Sequence, residues 1–295
     1  MKRIPTNFGS CEIEYRSRVS RARRGLRAVM HLLAAALAVV LAGLFLFPLN
    51  AHAGRSCEEH RPNAASIIKG MELAQRTAQQ LDASGAQVVL LARAGQDLGK
   101  YGLRYSHMGL AYKTEAGAWR VVHKLNQCNT ATAAVYRQGL GEFFLDDLWR
   151  NEAAWVVPTP AVQAQLRAAL DESPSRITRL HIPSYSIVSY AWGDKYQQSN
   201  QWAIETLAAA MEPATIRTRA QAQAWLKFKG YEPTTLRLGP LTRLGGRVSA
   251  ANVAFDDHPN EKRFSDRIET VTVDSVFAWM PRAGLGAAPV AFKLP

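Results

Sequence analysis

The chain has 295 residues, 36 Lys and Arg against 24 Asp and Glu, a formal net charge of +12, and three cysteines. That length suits one full core or a domain with a large appendage. Half of that excess lies in the first 53 residues, which hold eight basic and two acidic side chains, and the rest is spread out. No basic run is interleaved with aromatics, and there is no zinc-finger spacing and no glycine-rich phosphate loop, so no nucleic-acid partner, no cofactor and no metal is expected.

The first 53 residues read as a secretory signal. Lys2, Arg3, Arg16, Arg18, Arg21, Arg23, Arg24 and Arg27 are followed by an apolar run from Val29 to Phe47 and then by Ala51-His52-Ala53, an Ala-x-Ala cleavage pattern. The run is close to the roughly 20 residues that span a bilayer, so an uncleaved inner-membrane anchor is the competing reading. In that case membrane contact comes through this segment alone. Either way the chain is expected to be exported, to the periplasm or beyond. Cleavage leaves residues 54–295 as one α+β domain with two cysteines, Cys57 and Cys128. An isolated pair in an oxidising compartment is more often a disulfide than a metal or catalytic site. A Cys57–Cys128 bridge would close a loop of about 70 residues and contribute roughly 4 kcal/mol in the chain-entropy picture. Cys128 as a nucleophile is the weaker reading, because no helix follows it closely enough to activate a thiol.

Asn63 to Leu81 has the helical period, with Ile67, Met71, Ala74, Ala78 and Leu81 on one stripe and Asn63 placed to cap it. Gln87 to Ala92 is a short apolar strand. Tyr105 to Tyr112 and Ala118 to Asn126, joined by Lys113–Gly117, read as a β-hairpin that sets His107 and His123 on adjacent strands. Asp146-Asp147, after Phe143 and Phe144, reads as the start of a loop. Ala153 to Val157 is another strand, ended by Pro158, and Pro160 opens a helix to Leu170. Two more helices follow, one from Ser199 with Trp202, Ala203, Thr206, Leu207 and Ala210 inward, the other from Arg219 to Lys229. Strand-like pieces at Thr235–Leu238 and Ile268–Trp279 complete the order, which is α+β rather than alternating βαβ. Asp256-Asp257-His258 could ligate a metal only if three adjacent side chains faced one ion, and Pro259 instead suggests a turn.

The chemistry concentrates in two places, the histidine hairpin and the start of the helix at Ser199-Asn-Gln-Trp-Ala. A hydroxyl there gains from the helix dipole and from unpaired backbone N–H groups. The plainer reading is that Ser199 or Asn200 caps the helix and His107 is a core residue. Ser106-His-Met-Gly-Leu resembles the histidine strand of the NlpC-type, papain-like amidases, in which a second polar residue lies one strand later, as His123 does. Their nucleophile motif, Cys-x-x-Phe/Leu-Val at a helix start, is matched here by Ser199-Asn-Gln-Trp202-Ala203, with serine in the cysteine's place. The order of histidine strand first and nucleophile helix later resembles the circularly permuted branch of that superfamily.

Over nearly the whole mature chain, the sequence is similar to an exported proteobacterial family of unknown function, family 2145. The similarity is carried by Val122-His-Lys-Leu-Asn126, Tyr196-Gln-Gln-Ser-Asn-Gln-Trp202, Gly230-Tyr-Glu-Pro-Thr234 and Phe255-Asp-Asp-His-Pro259. The papain-like resemblance implies a core at about 87–211, an extension at about 213–295, and an antiparallel sheet packed against the Ser199 helix. It also implies a hydrolase or acyltransferase acting on an amide or ester of the cell envelope. Ser199 would be the nucleophile, His107 the base and His123 its orienter, with Asn200, Gln201 and Tyr196 around the oxyanion or groove. The alternative is a non-catalytic periplasmic protein that binds a peptide, glycan or lipid in the same groove.

Overall fold

The computed structural model describes residue 30 and residues 63–146, 148–172 and 174–295. Apart from Met30, the segment read as a secretory signal lies outside the described residues, as do Cys57 and Asp147. Ala51–Pro295 forms one compact unit. Its frame is a six-stranded, wholly antiparallel sheet in the order β4-β3-β2-β1-β5-β8. The strands are β1 (Val88–Ala94), β2 (His107–Lys113), β3 (Trp119–Asn126), β4 (Ala133–Gly139), β5 (Arg150–Val156) and β8 (Val290–Lys293). The architecture is the mixed α+β one, an antiparallel sheet packed with helices. No described helix is long and apolar enough to cross a membrane.

Both faces of the sheet are covered, which is why β1 is a continuous apolar run and not an alternating one. Alternation still decides which face each residue serves. Val89 and Leu91 pack with Ala111, Val121, Phe143 and Phe144 under α1 (Ala64–Ala83) and α2 (Leu140–Leu145). Val88, Leu90 and Ala92 pack with Met108, Leu110 and Val122 against α3 (Pro160–Glu172) and α5 (Ser199–Met211). Asn63 caps α1 by accepting from the Ser66 amide. The buried side of α1 is Gly70, Leu73, Ala74, Thr77 and Leu81, whereas Ile67 and Met71 of the expected stripe are exposed. The stripe is rotated by about one position, because Gly70 is needed where the helix meets the Phe144 carbonyl. A Cβ there would approach that oxygen to 2.9 Å.

After the short α4 (Pro174–Thr178) and the central α5 come α6 (Arg219–Phe228), β6 (Thr234–Arg237), α7 (Pro240–Ser249), α8 (Asn260–Arg263), β7 (Arg267–Thr270) and α9 (Val273–Arg282). β6 and β7 form a separate two-stranded sheet. The stretch Ile268–Trp279 is a strand only at its start. From Val273 it is α9, because Thr272 and Ser275 form a capping box and Val273, Val276, Phe277 and Met280 repeat at helical spacing. Sequence reading also passes over β4, α2, α7 and β8. The β4 strand is half exposed at the sheet edge and lacks a clear apolar alternation.

Candidate functional site

His107 and His123 are brought together. On adjacent strands, Leu110 pairs with Val122 and Ala111 with Val121, a register that sets Gly109 opposite His123. Gly109 has no side chain to fill the space between the two imidazoles. A Cβ there would come within 2.6 Å of Val121 Cγ1 and 2.9 Å of His123 Cβ. The rings meet edge-on, with His107 Nε2 2.8 Å from His123 Nδ1, and His123 Nε2 lies 2.7 Å from Gln138 Oε1 on β4. These contacts run in one direction. The Gln138 carbonyl oxygen can only accept, so His123 donates from Nε2 and accepts at Nδ1, and His107 donates from Nε2. The His107 Nδ1 lone pair is then left over, with no hydrogen-bond partner among the described residues.

The surroundings keep both rings neutral. Burial, and then the neighbouring Arg93 guanidinium, hold His123 down at about 4. Burial, Arg93 and His123 push His107 well below the usual histidine value. Arg93 sits opposite His107 in the β1–β2 register, donates to the Phe143 carbonyl and the Asp146 carboxylate, and stacks 4.8 Å from the Phe143 ring centroid. Phe143 lies against both imidazoles. Arg93, Gln138 and Phe143 are therefore parts of this centre that sequence reading missed. A signal for Arg93 was present, since a charge closes the run Val88-Val-Leu-Leu-Ala-Arg93 in a strand buried on both faces.

Among the described residues the hydrogen bonds of this pair join His107, His123 and Gln138, and none reaches Ser199. That serine is buried in the first turn of α5, with its hydroxyl against that of Tyr185. The β2 and β3 side chains that share a core with α5 are Met108, Leu110 and Val122, the opposite parity from His107 and His123. Neither Ser199 nor Asn200 is the cap. The residue before them, Gln198, accepts from the Asn200 backbone N–H at 2.8 Å, which occupies the amide expected to face an oxyanion.

The side chains expected around a groove hold the fold together instead. Asn200 Oδ1 accepts from the Met108 amide at 3.0 Å and its Nδ2 faces the Ser106 carbonyl at 3.4 Å, pinning α5 to β2 just before β3 begins to pair. Gln201 accepts from Ser189 Oγ at 2.8 Å and donates to the Tyr190 carbonyl at 3.0 Å. Tyr196 is half-buried, with Lys195 Nζ 5.2 Å from its ring.

Behind Ser199 lies a buried charged network. Lys124, fully buried on β3, donates to the Ile182 carbonyl at 2.8 Å and to Gln197 Oε1 at 2.9 Å. Gln197 donates to Glu205 at 2.6 Å, and Arg219 grips Glu205 through Nε at 2.8 Å and Nη2 at 3.1 Å. Burial and the Arg219 charge pull Lys124 down to about 7. His258, within the Asp256-Asp257-His258 run weighed for metal, bonds Asp257 at 3.0 Å and the Glu269 carbonyl at 3.1 Å, tying this turn to β7. Among the described residues no three His, Cys, Asp or Glu side chains are grouped to hold a metal ion. Cys128 stands in the exposed turn after β3.

No curated protein and no solved structure matches the chain. Residues 80–280, from the end of α1 to α9, match the model of the family described as an uncharacterized protein conserved in bacteria, DUF2145. The match takes in both histidines, Gln138, Ser199 and the whole Glu205–Arg219 network, and the chain belongs to that family.

Proposed function

We propose that the chain is an exported cell-envelope protein whose working centre is the His107–His123–Gln138 relay, acting as general base in hydrolysis of, or acyl transfer from, an amide or ester. The observation that carries this reading is the hydrogen-bonded chain from His107 through His123 to Gln138; with Gln138 Oε1 accepting, it leaves His107 Nδ1 as an oriented lone pair. In the step envisaged, Nδ1 takes the proton of a water or acceptor hydroxyl as its oxygen attacks the carbonyl. The same proton then passes to the departing amine or alkoxide. The low proton affinity of the pair keeps the base free at neutral pH. The resemblance of this hairpin to the histidine strands of NlpC-type, papain-like amidases supports the same chemistry. On this reading Ser199 belongs to the anchoring of α5, and the N-terminal signal and the Cys57–Cys128 bridge fit an oxidising, exported setting.

The second reading is a non-catalytic protein binding an envelope peptide, glycan or lipid. It is favoured by one fact: no hydroxyl or thiol of the described residues hydrogen-bonds His107. The two separate in one experiment. The full chain is incubated with peptidoglycan, lipoprotein and phospholipid fractions, and released products are followed by mass spectrometry for the wild type and His107→Asn. The catalytic reading expects wild-type product that falls by about 10²–10⁴-fold in the variant. Equal turnover by the two proteins would sink it. An inert wild type whose melting point rises with one fraction would establish the binding reading.

A further inference from the structure

Helix α7 leaves its apolar side in water. Leu241, Leu244 and Val248 are 84%, 60% and 81% exposed, and Gly246 is the one buried residue of the helix. At about 100° per residue these three side chains fall within an arc of roughly 60°, and Gly246 points the opposite way. The stripe therefore faces outward by construction. Phe264, in the polypeptide just before β7, is 70% exposed as well.

Cations lie beside this helix, whose Arg243 bonds the Leu238 carbonyl and the Asp266 carboxylate at the end of the β6–β7 pair. Arg247 lies on α7, and Arg237 and Arg267 stand directly opposite each other across the β6–β7 pair, both exposed. Like charges in that position repel. None of these three arginines makes an ion pair among the described residues, whereas the nearby Arg243 and Lys262 are already matched with Asp266 and Glu269.

We propose that the outer face of α7, with Arg237, Arg247 and Arg267, docks on an anionic lipid bilayer. An exposed apolar stripe with unpaired arginines beside it, on a helix too short to span, has the composition of a helix lying in the membrane interface. The chain also carries a basic segment and an apolar run, Val29 to Phe47, of the kind that brings a polypeptide to a bilayer. The docking is independent of the chemistry at His107.

Hydrogen–deuterium exchange on the full chain tests this locally, whatever the N-terminal run does. Amides of residues 240–249 are expected to exchange more slowly with phosphatidylglycerol-containing vesicles than with pure phosphatidylcholine vesicles. Three arginines near the surface correspond to roughly hundredfold weaker partitioning to the neutral lipid. Leu244→Asp, at an exposed site that leaves folding intact, should abolish the slowing, and the triple variant R237Q/R247Q/R267Q should erase the preference for anionic lipid. Unchanged exchange with anionic vesicles would overturn the proposal, as would equal slowing by neutral ones. Slowing that grows with protein concentration and needs no lipid would assign the face to a second copy of the chain, and would overturn it too.

Discussion

The two faces of the central sheet bury polar side chains in opposite ways. Beneath α1 and α2, His107, His123 and Gln138 form a neutral chain in which one acceptor is left over. Against α5, Lys124, Gln197, Glu205 and Arg219 form a charged network whose members are spent on one another and on backbone carbonyls. Both look like candidate sites when polar residues at core positions are simply counted. The difference lies in what remains after the hydrogen bonds are assigned. A satisfied network specifies how α5 and α6 dock, and a directed chain with a spare lone pair can act on something else.

The comparison is broken most sharply by removing one charge. Arg219→Met leaves the Glu205 carboxylate fully buried with only the Gln197 and Gln223 amides as donors. Loss of one partner from a buried pair costs about 3–5 kcal/mol. The urea midpoint should fall accordingly, and the double variant R219M/E205Q should recover a large part of that loss. A single variant as stable as the wild type would mean that the network does not hold α5 in place.

Acid and alkali weight the two faces differently. His123 stays neutral in the fold down to about 4, while an unfolded histidine takes its proton near 6.5. Between those values the unfolded chain binds the extra proton, so stability falls as pH drops from 6.5 to 4, by about 3 kcal/mol from this residue. His107 and His181, both also depressed, act with the same sign. Lys124 protonates at about 7 in the fold and near 10.5 when unfolded. The unfolded chain again holds more protons in that window, so stability rises from pH 7 towards 10.5 as the cost of burying an ammonium is relieved. Denaturant midpoints across pH should show both slopes. His123→Gln should flatten the acid slope and leave the alkaline one, whereas Lys124→Met should remove the alkaline slope and also ease the acid one slightly, because the Lys124 charge adds to burial in holding His181 down. An alkaline slope changed by His123→Gln would mean that the faces are coupled through the sheet.

The sequence made β1, β2, β3 and β5 of the sheet and helices α1, α3, α5 and α6 legible, because these elements obey the apolar periods that burial imposes. It also placed the two histidines side by side, through strand parity and the short Lys113–Gly117 turn. What it could not show is which face the α5 helix would cover. His107 and Met108 alternate on one strand, and either could meet a helix that arrives 90 residues later. The apolar neighbours decide it: Met108, Leu110, Tyr112 and Val122 supply the larger apolar surface, and α5, which is buried nearly all round, takes that side. Gln138 was hidden for a related reason, since β4 is an edge strand whose polar residues look like those of a loop.

The smallest change tests the geometry of the pair most directly. Gly109→Ala adds one methyl group at the place where β2 and β3 approach each other, within 2.9 Å of the Val122 carbonyl as well as of His123 Cβ. That oxygen is fixed in the ladder, so β3 has to move away from β2 by several tenths of an ångström. Overpacking of this kind costs about 1–3 kcal/mol, less than the loss of the buried arginine. The displacement also lengthens the His107–His123 bond, which is set by the same strand separation. Nitrogen NMR of the two imidazoles should then show His107 losing its fixed Nε2–H tautomer. Gly109→Ser, with a similar steric demand and a hydroxyl that can bond either ring, provides the control. If both variants keep the wild-type tautomer, the hydrogen bonds themselves, and not the close packing at Gly109, hold the relay in register.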